Sequence, residues 1–333
     1  MRILIPMAGM GKRLRPHTLT VPKPLFPIAG KPIVERLVED LARLYGQPID
    51  EVAFITGDFG PETERQLVAI AERLGAKGRI YHQAEALGTA HAVYCAAELL
   101  EGELIIGFAD TLFTADFALD THADGVIWTK RVDDPRAFGV VTLDGQGVIT
   151  GMVEKPKDFV SDQAIIGIYF LRDGAALKRE IEHLLTHNLR TGGEYQLTDA
   201  LEALRQKGAR LVTGTVDRWM DCGNKANVLD TNHQILELTA ASLAVPPSAV
   251  VKGSVLIPPV FVGEGAVIQD AVVGPYTTVG AGAVIERAVV AESIVREKAE
   301  IRGVSLTRSI VGVHATCNAA GLEVNLGDYS QHG

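Results

Sequence analysis

A glycine-rich loop, Ala8-Gly9-Met10-Gly11-Lys12-Arg13-Leu14-Arg15-Pro16, follows the short apolar run Arg2–Pro6. Glycines let backbone N–H groups come close to phosphate oxygens, and flanking Lys and Arg supply countercharge. Residues 1–34 hold six basic residues (Arg2, Lys12, Arg13, Arg15, Lys23, Lys31) and no Asp or Glu, in a chain of net charge −9. A cationic segment in an acidic chain suits a small polyanion. The competing account, a solvated basic tail, fits poorly with a stretch so apolar and so rich in Gly and Pro. Two common phosphate-binding patterns fail here. A dinucleotide fingerprint needs a third glycine where Leu14 stands, and a Walker loop needs Ser or Thr where Pro32 follows Gly30-Lys31.

Other groups with chemical potential sit where strands end. Asp110 follows the apolar run Leu104–Phe108, and Asp221 holds a similar strand-to-loop position after Leu211–Val216. A loop Asp also commonly caps a helix or a turn. Glu154 and Lys155 close a hairpin strand, where a plain charge pair is an alternative to a binding role. Gln83 carries an amide, which offers a donor and an acceptor together; a surface glutamine is the ordinary alternative. The nine histidines form no metal-spaced cluster, and His82 reads as a partly buried structural residue. Cys95, Cys222 and Cys317 lie far apart and form no metal-ligand pair, and their odd, sparse count suits a reducing, cytoplasmic setting.

The elements that must position these groups change character along the chain. Strands are expected at Arg2–Pro6, Glu51–Thr56, Arg79–His82, Leu104–Phe108 and Gly125–Thr129. Helices are expected at Ile33–Tyr45, Glu62–Leu74 and Thr89–Leu100. Prolines 16, 22, 24, 27 and 32 exclude regular structure for about twenty residues. This alternation predicts a doubly wound sheet with ligands beyond the carboxyl ends of its strands. Phe138–Leu143 and Val148–Val153 flank Asp144-Gly145, a hairpin signal, and helices follow at Gly174–Asn188, Thr198–Lys207 and Asn224–Ala241. From about Pro247, Val255, Phe261, Val267, Val273, Val279 and Ile285 recur every six residues, and Val289, Val295 and Ile301 continue after a slip. A hexapeptide period predicts a parallel β-helix of roughly four coils; a β-sandwich would not hold so fixed a period. No run reaches the roughly 18–20 apolar residues of a membrane span, and the negative charge argues against nucleic acid.

The segment Gly9-Met10-Gly11-Lys12-Arg13-Leu14-Arg15-Pro16, with Pro22-Lys23-Pro24-Leu25 and Gly30-Lys31-Pro32, resembles the signature of the sugar-1-phosphate nucleotidylyltransferases. The likeness continues through Leu87-Gly88-Thr89-Ala90, Asp110, Phe138-Gly139-Val140-Val141, Val153-Glu154-Lys155-Pro156 and Trp219-Met220-Asp221-Cys222-Gly223. It runs to the glucose-1-phosphate thymidylyltransferase-like members that carry a C-terminal left-handed β-helix. It implies an α/β fold with a Rossmann-like doubly wound mixed sheet over residues 1–240, then a left-handed parallel β-helix over 241–333.

The resemblance also implies roles. Ala8, Gly9, Gly11, Arg13, Gln83, Gly88 and Thr89 would bind a nucleoside triphosphate, with Arg13 at the β- and γ-phosphates and Gln83 and Gly88 at a pyrimidine edge. Lys23 would meet the α-phosphate or the attacking phosphate. Gly139, Glu154, Lys155 and Gly167 would hold the sugar 1-phosphate, with Gly139 allowing close approach of the sugar; Glu194 and the Leu197-Thr198-Asp199 run match a motif near the sugar, a helix start being the alternative account of Asp199. Asp110 and Asp221 would hold Mg²⁺, although Ala109-Asp110-Thr111 stands where the family commonly has Gly-Asp-Asn. The expected activity is Mg²⁺-dependent formation of a nucleoside diphosphate sugar from dTTP or UTP and glucose 1-phosphate. The expected partners are these small molecules, with homo-oligomer assembly through the β-helix. Two alternatives stand beside it: a bifunctional enzyme whose β-helix acylates an amino sugar through His314, and a catalytically silent nucleotide-sugar binder.

Overall fold

The computed structural model describes residues 1–115 and 122–319. It divides into two compact units, Met1–Phe26 with Pro32–Gly223, and Pro27–Lys31 with Asn224–Gly333.

The first unit is built on one mixed sheet. Its elements are β1 (Arg2–Pro6), α1 (Ile33–Tyr45), β2 (Glu51–Thr56), α2 (Pro61–Arg73), β3 (Lys77–His82), α3 (Thr89–Tyr94) and β4 (Leu104–Gly107). Then come β5 (Thr111–Thr114), β6 (Gly125–Arg131), β7 (Gly139–Leu143), β8 (Ile149–Glu154), β9 (Gln163–Leu171), α4 (Gly174–Thr186), α5 (Leu197–Gln206), β10 (Leu211–Thr215) and β11 (Arg218–Asp221). The sheet runs β8-β7-β9-β4-β1-β2-β3, with β6 also against β9 and β10 against β6. Strands β4, β1, β2 and β3 are parallel, so their carboxyl ends share one edge. Strand β9 runs antiparallel to β4, β6 and β7.

Local sequence explains these elements. Ile3, Leu4 and Ile5 are fully buried, as a central parallel strand requires. Helix α1 starts after Pro32 and stops at Gly46, which takes φ 71° and returns its N–H to Ala42 O. Its Val34, Leu37, Val38 and Leu41 form the buried stripe.

Several expectations change. The proline-rich segment forms three short 3-10 turns, Lys12–Leu14, His17–Leu19 and Lys23–Leu25, because fixed proline φ values suit tight turns. Helix α3 ends at Tyr94, since Ala96 leaves helical geometry before the turn Ala97–Leu99. The hairpin after β7 closes with Asp144 Oδ1 accepting from Gln146 N and Val148 N, a wider loop than the two-residue turn that Asp-Gly suggests.

In the second unit the backbone winds as a left-handed β-helix with three parallel sheets. Ile268, Ile285 and Ile301 stack inward on one face, Val273 and Val290 on the next, and Val279 and Val295 on the third, all fully buried. The coils are shorter than three hexapeptides. Residue 267 pairs with 250 and 284 with 267, then 300 with 284 and 316 with 300, so 17-residue coils give way to 16. This drift accounts for the slip in the period and turns Val255 and Val289 outward, 57% and 46% exposed.

The sequence expectation divides the chain at 240, but helix α6 (Lys225–Thr239) packs as part of the second unit. Its Asn232, 1% exposed, accepts from Ala29 N at 3.0 Å and from Thr278 Oγ1 at 2.7 Å. Those bonds satisfy a buried amide and tie the helix to the Thr277–Val279 face.

Candidate active site

The glycine loop leaves β1 at the carboxyl edge of the sheet. Gly11 takes φ +56°, and a Cβ there would lie 2.9 Å from Lys23 Cβ and 3.2 Å from Thr18 Cγ2. Only a glycine lets the Lys23 turn pack this tightly against the loop. Thr18 Oγ1 donates to Gly11 O at 2.9 Å and fixes the pair. Lys23 is thereby aimed inward, 12% exposed, with Nζ donating to Asp110 Oδ2 at 2.8 Å.

Asp110 and Asp221 meet through a ribbon that the sequence reading did not contain. Strand β5 pairs antiparallel with β11, bringing Thr111 opposite Asp221, and Cys222 N donates to Asp110 O at 2.8 Å. Asp221 therefore ends its own strand rather than following Leu211–Val216. Its Oδ1 accepts from Gly223 N at 2.8 Å. A Cβ on Gly223 would lie 2.9 Å from Arg13 Nη2 and 3.0 Å from Asp221 Oδ1, so guanidinium and carboxylate converge there. Arg13 is otherwise exposed. Among the described residues no group of three or more His, Cys, Asp or Glu could hold a metal ion. The two carboxylates fit a hard cation that takes its remaining oxygens from phosphate and water.

Two cavities meet at Asp110. The first, about 250 Å³, is lined by Ala8, Gly9, Lys23, Gln83, Gly88, Thr89 and Asp110. The second, about 360 Å³, is lined by Arg13, Gly139, Glu154, Lys155, Gly167 and Asp221. Thr89, Phe108, Asp110 and Glu194 belong to both.

At the first cavity, Gly88 takes φ +119°, and a Cβ would collide with Tyr195 O at 2.4 Å. The close backbone crossing demands glycine there. Gln83 sits just past β3, its Nε2 3.1 Å from Gly88 O and 3.1 Å from His91 Nδ1. Thr89 Oγ1 donates to Gln196 Oε1 at 3.1 Å and accepts from Leu197 N at 2.8 Å, fastening the entry of α5.

At the second cavity, Glu154 accepts from Thr198 Oγ1 at 2.7 Å and lies 3.4 Å from Lys155 Nζ. The charge pair is thus present, between sequence neighbours and not across strands. A Cβ on Gly139 would meet Glu154 Oε2 at 2.9 Å and Thr198 Oγ1 at 3.0 Å. Its bareness therefore first makes room for the Glu154–Thr198 bond. Gly167, φ +84°, interrupts β9 where the pairing with β6 shifts register between Ile165 and Tyr169, and its O accepts from Phe108 N at 3.0 Å. Burial pushes the Asp199 carboxyl up from its ordinary value, against a hydrogen bond from Thr191 that pulls it down.

Sequence reasoning singles out neither Phe108 nor His91, and it places Thr198 near the sugar only through the run Leu197-Thr198-Asp199. His91 carries no spacing signal. His82 is more exposed than expected, at 56%, with Nε2 3.6 Å from Glu64. His314 lies exposed at a coil corner, with φ 55° like Lys298 one coil before. Among the described residues no disulfide joins Cys95, Cys222 or Cys317. No helix among the described residues is long and apolar enough to cross a membrane.

The carboxyl edge of the sheet thus carries a cationic glycine loop, with two strand-end carboxylates beside paired cavities. Residues 3–237 match the nucleotidyl transferase family model, and residues 230–307 match that of the GlmU-like C-terminal hexapeptide. The chain is 31% identical over 238 residues to the low-salt glycan biosynthesis nucleotidyltransferase Agl11 of Haloferax volcanii, covering 69% of this chain and 64% of that one. It thus spans less than two thirds of that relative. It is 30% identical over 344 residues to a glucose-1-phosphate thymidylyltransferase of Streptomyces griseus, covering 96% of this chain and 94% of the relative. A solved UDP-glucose pyrophosphorylase complexed with UDP-glucose shares the fold, with a TM-score of 0.58, 22% identity, and coverage of 71% of this chain and 98% of that one. The chain belongs to the nucleotidyl transferase family, in the group of sugar-1-phosphate nucleotidyltransferases.

Proposed function

We propose that this chain joins a nucleoside triphosphate, dTTP or UTP, to a sugar 1-phosphate, glucose 1-phosphate foremost, giving a nucleoside diphosphate sugar and pyrophosphate. The observation that carries the reading is the pair of cavities sharing Asp110 and Thr89, one lined by the glycine loop and Lys23, the other by Arg13, Glu154 and Lys155. Two anionic substrates can lie end to end there.

A phosphate oxygen of the sugar 1-phosphate attacks the α-phosphorus in line, a P–O bond forms, and the bond to pyrophosphate breaks with its electron pair leaving on pyrophosphate. The attacking oxygen is already anionic at neutral pH, so no general base is needed. Lys23 stabilises charge at the reacting phosphates, Arg13 neutralises charge building on the departing pyrophosphate, and Lys155 draws the second anion in. Glu154 accepts hydroxyls of the sugar, held in orientation by Thr198. Asp110 and Asp221 would hold Mg²⁺, which supplies positive charge and orientation to the phosphates. The ribbon β5–β11 sets the spacing of those two carboxylates. The β-helix serves assembly of like subunits, and three sparse cysteines outside any disulfide suit the cytoplasm.

The test is pyrophosphate release across a matrix of nucleoside triphosphates and sugar 1-phosphates with Mg²⁺. Release from a pyrimidine triphosphate with glucose 1-phosphate is expected. No release from any pair would refute the reading.

A further inference from the structure

We propose that His91 is a positioning residue that fixes which end of the Gln83 amide meets the nucleobase, and so selects bases carrying a ring N–H. The inference rests on the first cavity being the nucleotide site. Gln83 is anchored by its backbone, whose N–H donates to Thr56 O at 2.8 Å. Its side-chain nitrogen lies 3.1 Å from Gly88 O and 3.1 Å from His91 Nδ1.

Gly88 O can only accept, so the amide nitrogen must face it. That nitrogen has one hydrogen left and no lone pair to offer. His91 Nδ1 must then accept, which puts the imidazole proton on Nε2. Burial lowers the imidazole pKa from its ordinary value, with a smaller opposing pull from Glu85, so the neutral ring needed for this bond is the favoured one. Both amide hydrogens are consumed within the protein, and the oxygen alone remains for a ligand.

A lone acceptor discriminates. It complements the N3–H of uracil or thymine and the N1–H of guanine. Against cytosine N3 or adenine N1 it sets lone pair against lone pair, leaving a buried polar group unpaired. A free Gln83 amide offers a donor and an acceptor together; here the donor end is spent on Gly88 and His91.

Three proteins decide the matter: the wild-type chain, His91→Phe, which keeps a ring without an acceptor, and His91→Asn, whose Oδ1 can replace Nδ1. Each is assayed for kcat and KM with UTP, dTTP and CTP, glucose 1-phosphate and Mg²⁺. Calorimetric binding of UTP and CTP is measured in parallel, and melting checks the fold. His91→Phe is expected to lower the preference for UTP or dTTP over CTP about tenfold, mainly through KM, while His91→Asn restores most of it. An unchanged preference in folded His91→Phe overturns the inference; if that variant does not fold, a wild-type preference in His91→Asn supports it and a tenfold loss overturns it. Absence of turnover with every triphosphate would count against the transferase reading alone, because the binding preference still reads the amide's orientation.

Discussion

The two units bring residues together in opposite ways. In the sheet unit the partners are remote in sequence: Lys23 reaches Asp110 across 87 residues, and Asp110 meets the Asp221 segment through the β5–β11 ribbon. In the coil each backbone neighbour is one turn away, 17 residues at first and then 16. The coil repeats one solution, an inward aliphatic at most flat faces and a left-handed residue at most corners. The sheet unit holds its chemistry once. A side chain lost from the site should therefore abolish function and spare the fold, whereas one lost from the coil should weaken the fold and spare the chemistry.

The largest contrast is expected at Lys23. Lys23→Ala should lower kcat by about 10²–10³-fold with an unchanged circular dichroism spectrum; a drop of less than threefold would remove Lys23 from the reaction. Next comes Ile285→Ala in the coil core, where Ile285 is fully buried. Denaturant melting should show about 2–4 kcal/mol of lost stability, while turnover per folded molecule at 25 °C stays near wild type. A large loss of turnover at full folding would mean that the coil contributes to the chemistry. The smallest effect concerns Thr198→Val, which removes the 2.7 Å bond to Glu154. The KM for the sugar phosphate should rise about five- to tenfold, with little change in that for the triphosphate. Equal changes in both would argue for general damage to α5.

Much of this was legible where one local signal dominates. Helix α1 appears at its expected bounds because Pro32 and Gly46 punctuate a clean apolar stripe. The glycine loop declared itself through charge, since an acid-free stretch in an acidic chain is uncommon. Strand β9 was hidden because Gly167, at φ +84°, breaks the alternation by which strands are recognised. Strands β5 and β11 are four residues each, and only their pairing makes them strands. The coil was clear in kind but not in period, because coils of 17 and 16 residues drift against a count of six. At the site, the residue types were readable and their contacts were not. Nothing local announces that Thr198 braces Glu154, that His91 holds Gln83, or that Gly139 is bare to admit a neighbouring side chain.

On the proposed function, Asp110 and Asp221, joined by the β5–β11 ribbon, form one Mg²⁺-dependent transfer site. Steady-state pyrophosphate release by Asp110→Asn and Asp221→Asn, each beside its melting temperature, tests this most directly. Both variants should lose about 10³-fold or more in kcat while melting within a few degrees of the wild-type chain. Near-normal rates in either variant, with its fold intact, would rule out a metal site shared by the two aspartates.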